Sequence, residues 1–376
     1  MSGIDIARII GLVLISVVVS GCATTGGVTS FANAGDTANL KENEHRLWHE
    51  ASGFDTAIER SGQIYEDPRA SAYLQNVMNR LYPEFKGKIK VHLYDSTQLN
   101  AFALPNGSIY FNIGLLARIE NEAQLAAVLG HEAAHFVERH GFQQRVSTKN
   151  VSAFAVSGIP FSSLAAISSI SGFSRDLERE ADQRGYARMV KAGYHPGEAH
   201  KVFRRLADEV KTLNIEEPYF FSSHPQLVER IETFKELSAK HRGGGRVGTE
   251  EYNRVIQPMR LEVLRKDVSQ DRFKGVILVM EDNSLRRYYP AAGYYYLGEA
   301  YLRRDEKNDT DKALKAYQTA EKLAPGFAPT YKGLGMYYMK TGNKGLARQY
   351  FNKYLGLAPK NARDRAYVQQ YVSSLN

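Results

Sequence analysis

The stretch AAVLGHEAAHFVERHG, residues 126–141, sets His131 and His135 four residues apart with Glu132 next to the first. On a helix, residues four apart share a face, so two imidazoles can grip one metal ion. Glu132, turned by about 100°, would stand beside the metal, where a proton acceptor for a metal-activated water belongs. Zinc lowers the pKa of a bound water from about 15.7 towards 7, which makes hydroxide available at neutral pH. A second pair at the same spacing, His45 and His49 in EHRLWHE, has Arg46 after its first histidine and no strand before its helix. That pair reads as two exposed helix residues.

Two histidines leave a catalytic zinc one protein ligand short. A third histidine six residues after His135 is excluded, because position 141 is Gly and His140 falls one short. SRDLEREAD offers a carboxylate instead: Glu178 can ligate, and Asp182, one turn on, can accept the N–H of a zinc histidine and fix its tautomer. Glu180 points to another face. His92, His140, His195, His200 and His241 read as structural or surface residues.

These residues need a scaffold. Residues 41–82 read as helical. KIKVHLYD (88–95) and SIYFNIG (108–114) alternate as strands do, with LPNG (104–107) as the turn between them. Asn121 and Gln124 form a capping pair for the histidine helix, which the sequence runs to His140 and stops at Gly141. Were SIYFNIG an edge strand beside that helix, an extended polypeptide could pair with it, and Ile109→Pro would weaken the pairing. Residues 150–174 hold no charged side chain and eight serines, a composition suited to a lid over the site rather than a membrane span.

At the N-terminus, Arg8 precedes an apolar run from Ile9 to Val19 that is too short to cross a bilayer. Residues 1–21 read as a secretory signal. Val19-Ser20-Gly21-Cys22 resembles a bacterial lipobox, which implies a lipidated Cys22 inserted in the bilayer; Ala23 after it points to the outer membrane, on the periplasmic side. Residues 22–40 read as a flexible tether, 41–240 as the domain that carries the chemistry, and 241–250 (with HRGGGRVG) as a linker. In 251–376, Tyr331, Leu334, Gly335, Tyr338, Ala347, Phe351 and Pro359 follow the tetratricopeptide pattern. Tyr294, Leu297, Gly298, Tyr301, Ala313, Tyr317, Ala320 and Pro325 give a second copy, and 251–289 a degenerate first one. From Pro290 onwards, fourteen Lys/Arg face seven Asp/Glu, so nearly all of the net +8 lies in this tail. A secreted chain rarely meets nucleic acid, so acidic protein or anionic lipid partners are expected and no nucleic acid. One cysteine excludes an internal disulfide framework, and 43% hydrophobic residues exclude general disorder.

NAFALPNGSIYFNIGLL, LAAVLGHEAAHFVERH, SRDLEREAD, GYHP and SSHPQLVERI together resemble successive blocks of the HtpX/Oma/CAAX-protease family of zinc metallopeptidases, in its periplasmic, repeat-bearing branch. The resemblance spans about residues 40–376. It implies an α+β, gluzincin-type metallopeptidase domain, mostly helical with a small sheet, followed by an all-α tetratricopeptide array. It implies one zinc per chain on His131, His135 and Glu178, with Glu132 as base. It also implies His224 and Arg230 near the metal, either as cationic donors to an oxyanion or, for His224, as an occupant of the fourth zinc position. The expected activity is cleavage of misfolded or unassembled envelope polypeptides, with the basic repeats docking an outer-membrane assembly machinery. The competing readings are a repeat-based assembly factor with a vestigial metal site, and an intramembrane protease, which would need several spans.

Overall fold

The computed structural model describes residues 28–147, 173–214, 227–241 and 243–375. Helices α1 (Glu42–Arg60) and α2 (Pro68–Leu81) lead into strand β1 (Lys90–Tyr94). Strands β2 (Ala101–Ala103) and β3 (Ser108–Asn112) follow, then helices α3 (Ile113–Arg118) and α4 (Glu122–Val137), the helix that carries the histidine pair. Asp67 caps α2 by accepting from Ala70 N at 2.9 Å, and Asn121 caps α4 by accepting from Gln124 N at 2.9 Å.

The sheet departs from the hairpin expected of its two longer strands. Its order is β1-β3-β2, with β1 parallel to β3 and β2 antiparallel to it. LPNG therefore joins β2 to β3. Gly107 N donates to Leu104 O at 3.0 Å and Leu104 N to Ser108 O at 2.7 Å, and Gly107 takes φ 96° while Asn106 does not cross to positive φ. That is a Pro-led type I turn closed by a glycine bulge. A Cβ on Gly107 would lie 2.9 Å from Lys88 O, so only glycine fits. β3 is the central strand, so it offers no edge to a polypeptide, and Ile109→Pro would break its ladder with β1 rather than a contact with substrate. Residues 63–65 cover the outer side of β1, with Tyr65 N on Leu93 O and Asp95 N on Gln63 O. The remaining edge is β2, which packs against α4.

Helix α4 stops three residues before the expected end. Arg139 adopts φ 60°, and a new helix α5 (His140–Ser147) starts straight after, running through Gly141. Next come α6 (Arg175–Lys191), α7 (Ala199–Leu213) and α8 (Leu227–Ala239). Residues 28–40 are mostly exposed but are pinned at Phe31. Phe31 is buried against Trp48 and Phe136, and its N–H donates to Val137 O at 2.9 Å.

Within the stretch 241–250, expected as a linker, Arg246 and Val247 are tied to the first unit through their backbone. Arg246 exchanges backbone hydrogen bonds with Gly193 and His195, and Val247 O accepts from Ala123 N at 3.0 Å. Helix α9 (Thr249–Ser269) then closes the first core with Tyr252, Val255, Ile256, Met259 and Val263, and opens the second with Leu264 and Val268. Arg260, fully buried on α9, donates to Ala117 O and Ile119 O at the end of α3, satisfying carbonyls that the helix leaves unpaired. The boundary between the two units thus falls inside a helix. Beyond it, α10 (Phe273–Glu281), the short α11 (Asn283–Arg286) and the pairs α12 (Ala291–Arg304)/α13 (Asp309–Leu323) and α14 (Ala328–Lys340)/α15 (Lys344–Leu357) form the helical array. Helix α16 (Arg365–Ser374) packs on its end. The whole is a mostly helical α+β unit with a small sheet, followed by an all-α repeat array. Among the described residues, no helix is long and apolar enough to cross a membrane.

Candidate metal centre

The site is built where α4 and α6 touch. Gly130 precedes His131, and Gly185 faces it from α6. A Cβ on Gly185 would lie 2.5 Å from His131 N, and one on Gly130 would lie 2.8 Å from Gly185 O. With hydrogen atoms at both positions the two backbones meet. This contact brings the first turns of α6 alongside the histidines.

His131 and His135 turn their Nε2 atoms to each other at 3.1 Å. Glu178, on α6, places Oε2 3.4 Å from His131 Nε2 and Oε1 3.5 Å from His135 Nε2. All three side chains are buried. Ligand atoms about 2.0–2.1 Å from a tetrahedral zinc stand roughly 3.3 Å apart. The three separations match that spacing, and two imidazoles with one carboxylate are a donor set that zinc accepts. Glu132 is fully buried and follows His131 on α4.

The other edge of His131 is held as firmly. Nδ1 lies 2.9 Å from Asp182 Oδ1, and Arg230, on α8, clamps that carboxylate through Nε at 3.1 Å and Nη2 at 2.7 Å. With Nε2 turned to the ligand cluster, Nδ1 carries the proton and donates to Asp182. The 3.0 Å approach of Arg230 Nη2 to Nδ1 then follows from both groups sharing Oδ1. Burial works to raise the Asp182 pKa, but Arg230 and His131 hold it below the ordinary aspartate value. The Arg230 guanidinium rests 4.3 Å above the Phe203 ring, which stacks on Phe234 at 4.9 Å. These contacts put Arg230 at the Nδ1 edge of His131, on the side away from the ligand cluster.

Two residues read from the sequence as bystanders belong to the site. His140 is fully buried, with Nδ1 2.9 Å from His135 Nδ1, and Glu180 reaches to within 3.4 Å of His140 Nε2. The ring of Phe173 stacks on His135 at 3.9 Å and 12°. His45 and His49 sit exposed on α1, apart from this cluster. Among the described residues, His131, His135 and Glu178 form the one group able to hold a metal ion. Cys22, His224 and nearly all of the uncharged 150–174 stretch lie outside the described residues.

Residues 68–238 match the model of Peptidase family M48, and residues 328–361 that of the tetratricopeptide repeat. The chain is 31% identical over 186 residues to the mitochondrial metalloendopeptidase OMA1 of Saccharomyces cerevisiae, covering 47% of this chain and 52% of that one. It is 32% identical over 163 residues to the namesake in Schizosaccharomyces pombe, covering 40% and 46%. It is 25% identical over 192 residues to the beta-barrel assembly-enhancing protease of Escherichia coli, covering 46% and 39%. The chain thus spans about half or less of the length of the curated relatives it matches.

Proposed function

We propose, with a Peptidase family M48 domain at residues 68–238 as the premise, that this chain is a zinc metalloendopeptidase acting on polypeptides. The observation that carries this reading is the arrival of Glu178, from a second helix, between His131 and His135 at ligand spacing. A zinc ion held by these three residues supplies Lewis-acid chemistry at neutral pH. Glu132 takes the proton from the attacking water and hands it to the leaving amine. Asp182 keeps the proton of His131 on Nδ1, so Nε2 keeps its lone pair for the metal. Arg230 neutralises Asp182 in a buried place where an unpaired carboxylate would be costly.

An extended substrate chain lies along β2, the sheet edge beside α4. Antiparallel pairing uses alternate residues: Leu104 N donates to Ser108 O and Asn100 O accepts from Asn112 N, so Asn100, Phe102 and Leu104 bond to β3 and the backbone groups of Ala101 and Ala103 turn outward. Backbone pairing tolerates any side chain, which suits a protease of misfolded or unassembled chains. The chain works in the periplasm, anchored to the outer membrane through lipidated Cys22, and its basic repeats dock an assembly partner. His224 either caps the metal at rest or serves in catalysis.

The test is cleavage of casein by the purified chain. Loss of cleavage in Glu132→Gln and after chelation, with return on adding zinc, supports the reading. Full activity of Glu132→Gln overturns it.

A further inference from the structure

Helix α4 breaks at an unusual residue. Arg139 is not glycine, yet it takes the left-handed φ of 60°, a conformation that costs an L-residue about 1–2 kcal/mol. Its side chain is tied down on three sides. It pairs with buried Glu44 on α1, its Nη1 donates to Thr29 O at 2.8 Å, and its guanidinium lies over the Phe31 and Phe142 rings at 4.9 and 5.4 Å. The consequence falls on the next residue. On an unbroken helix, His140 would stand about 140° around the axis from His135 and could not reach it. The turn at Arg139 brings its ring back to 2.9 Å from the His135 ring.

We infer that His140 is a positioning residue of the metal centre, acting through His135. This rests on the reading of His131, His135 and Glu178 as metal ligands. The chemistry of the two rings fixes the direction of every proton. His135 turns Nε2 to the ligand cluster, so that atom keeps its lone pair and Nδ1 carries the hydrogen. An N–H at 2.9 Å requires an acceptor opposite, so His140 Nδ1 is unprotonated and its hydrogen sits on Nε2. That atom faces the Glu180 carboxylate, although 3.4 Å makes the contact a long one.

The two metal histidines are therefore held by different means. His131 is oriented by an aspartate neutralised by an arginine; His135 is oriented by a neutral imidazole backed by a half-exposed glutamate. His140 adds no charge beside the site, and its burial keeps water from competing for the His135 N–H.

The test uses the full chain, with zinc affinity measured by competition against a chromophoric chelator. In His140→Phe the ring is filled but the acceptor is gone, and zinc should bind about 10–100-fold more weakly. In His140→Asn the side-chain oxygen can sit where Nδ1 sits, and affinity should return to within a few-fold of wild type. Wild-type affinity in His140→Phe, or equal losses in both variants, overturns the inference while leaving the metal reading intact. A wild type that binds no zinc brings down both. Should His140→Phe fail to fold, nitrogen-15 NMR of the wild-type histidines decides: a proton on His140 Nε2 supports the inference, and one on its Nδ1 overturns it.

Discussion

Gly130 and Gly185 touch backbone to backbone, one residue before His131. Each leaves less than 3 Å for any Cβ its partner might carry. This contact fixes how closely α6 approaches α4 beside His131.

Gly185→Ala should therefore act at a distance. The methyl group would press on His131 N and push α6 outward; overpacking of this kind costs about 1–3 kcal/mol. The expected outcome is a lower melting temperature together with weaker zinc binding, although Gly185 contacts no metal. Calorimetry and chelator competition check it, and a variant with wild-type zinc affinity would show that the helix contact does not set the ligand spacing.

The Asp182–Arg230 pair should behave as a unit. Arg230→Met leaves the buried Asp182 carboxylate with the His131 N–H but without its cation, and breaking a buried pair typically costs about 3–5 kcal/mol. Asp182→Asn removes the negative charge that faces the buried guanidinium. The double variant leaves neither charge unpaired, so its loss of stability should be smaller than the two single losses added together. Urea unfolding of the four proteins measures the coupling; additive losses would mean the pair is not one element.

Because the first core is closed by α9, a chain ended at residue 248 should lose more than its repeats. It would uncover the places of Tyr252, Ile256, Met259 and Val263, and leave Ala117 O and Ile119 O without Arg260. Such a chain should be insoluble or unfolded, whereas one ended at 270 keeps the first core closed. A cooperative melt of the shorter chain near the full-length temperature would contradict this.

Helix spacing is local, so the pairs His131/His135 and Glu178/Asp182 were legible, and the structure brings the four together. Each pair follows from a residue count along its own helix, and the repeat pattern likewise follows a recurring period. Contacts made between elements were harder to read. Gly185 looks like a small propensity penalty until its partner is known. His140 reads as a bystander because five residues along a helix point away, and only the turn at Arg139 reverses that. β2 is three residues long, too short to alternate, so β3 passed for an edge strand. The polar, glycine-rich run before α9 has the composition of a linker, yet its backbone is bonded to Gly193, His195 and Ala123.

The most direct measurement is the zinc content of the purified chain beside Glu178→Ala, titrated with a chelator of known affinity. The account predicts one tightly bound zinc per wild-type chain and a large loss of affinity in the variant, since α6 then supplies no ligand. Zinc held equally well by both proteins would contradict it, because the two helices would not be sharing a metal.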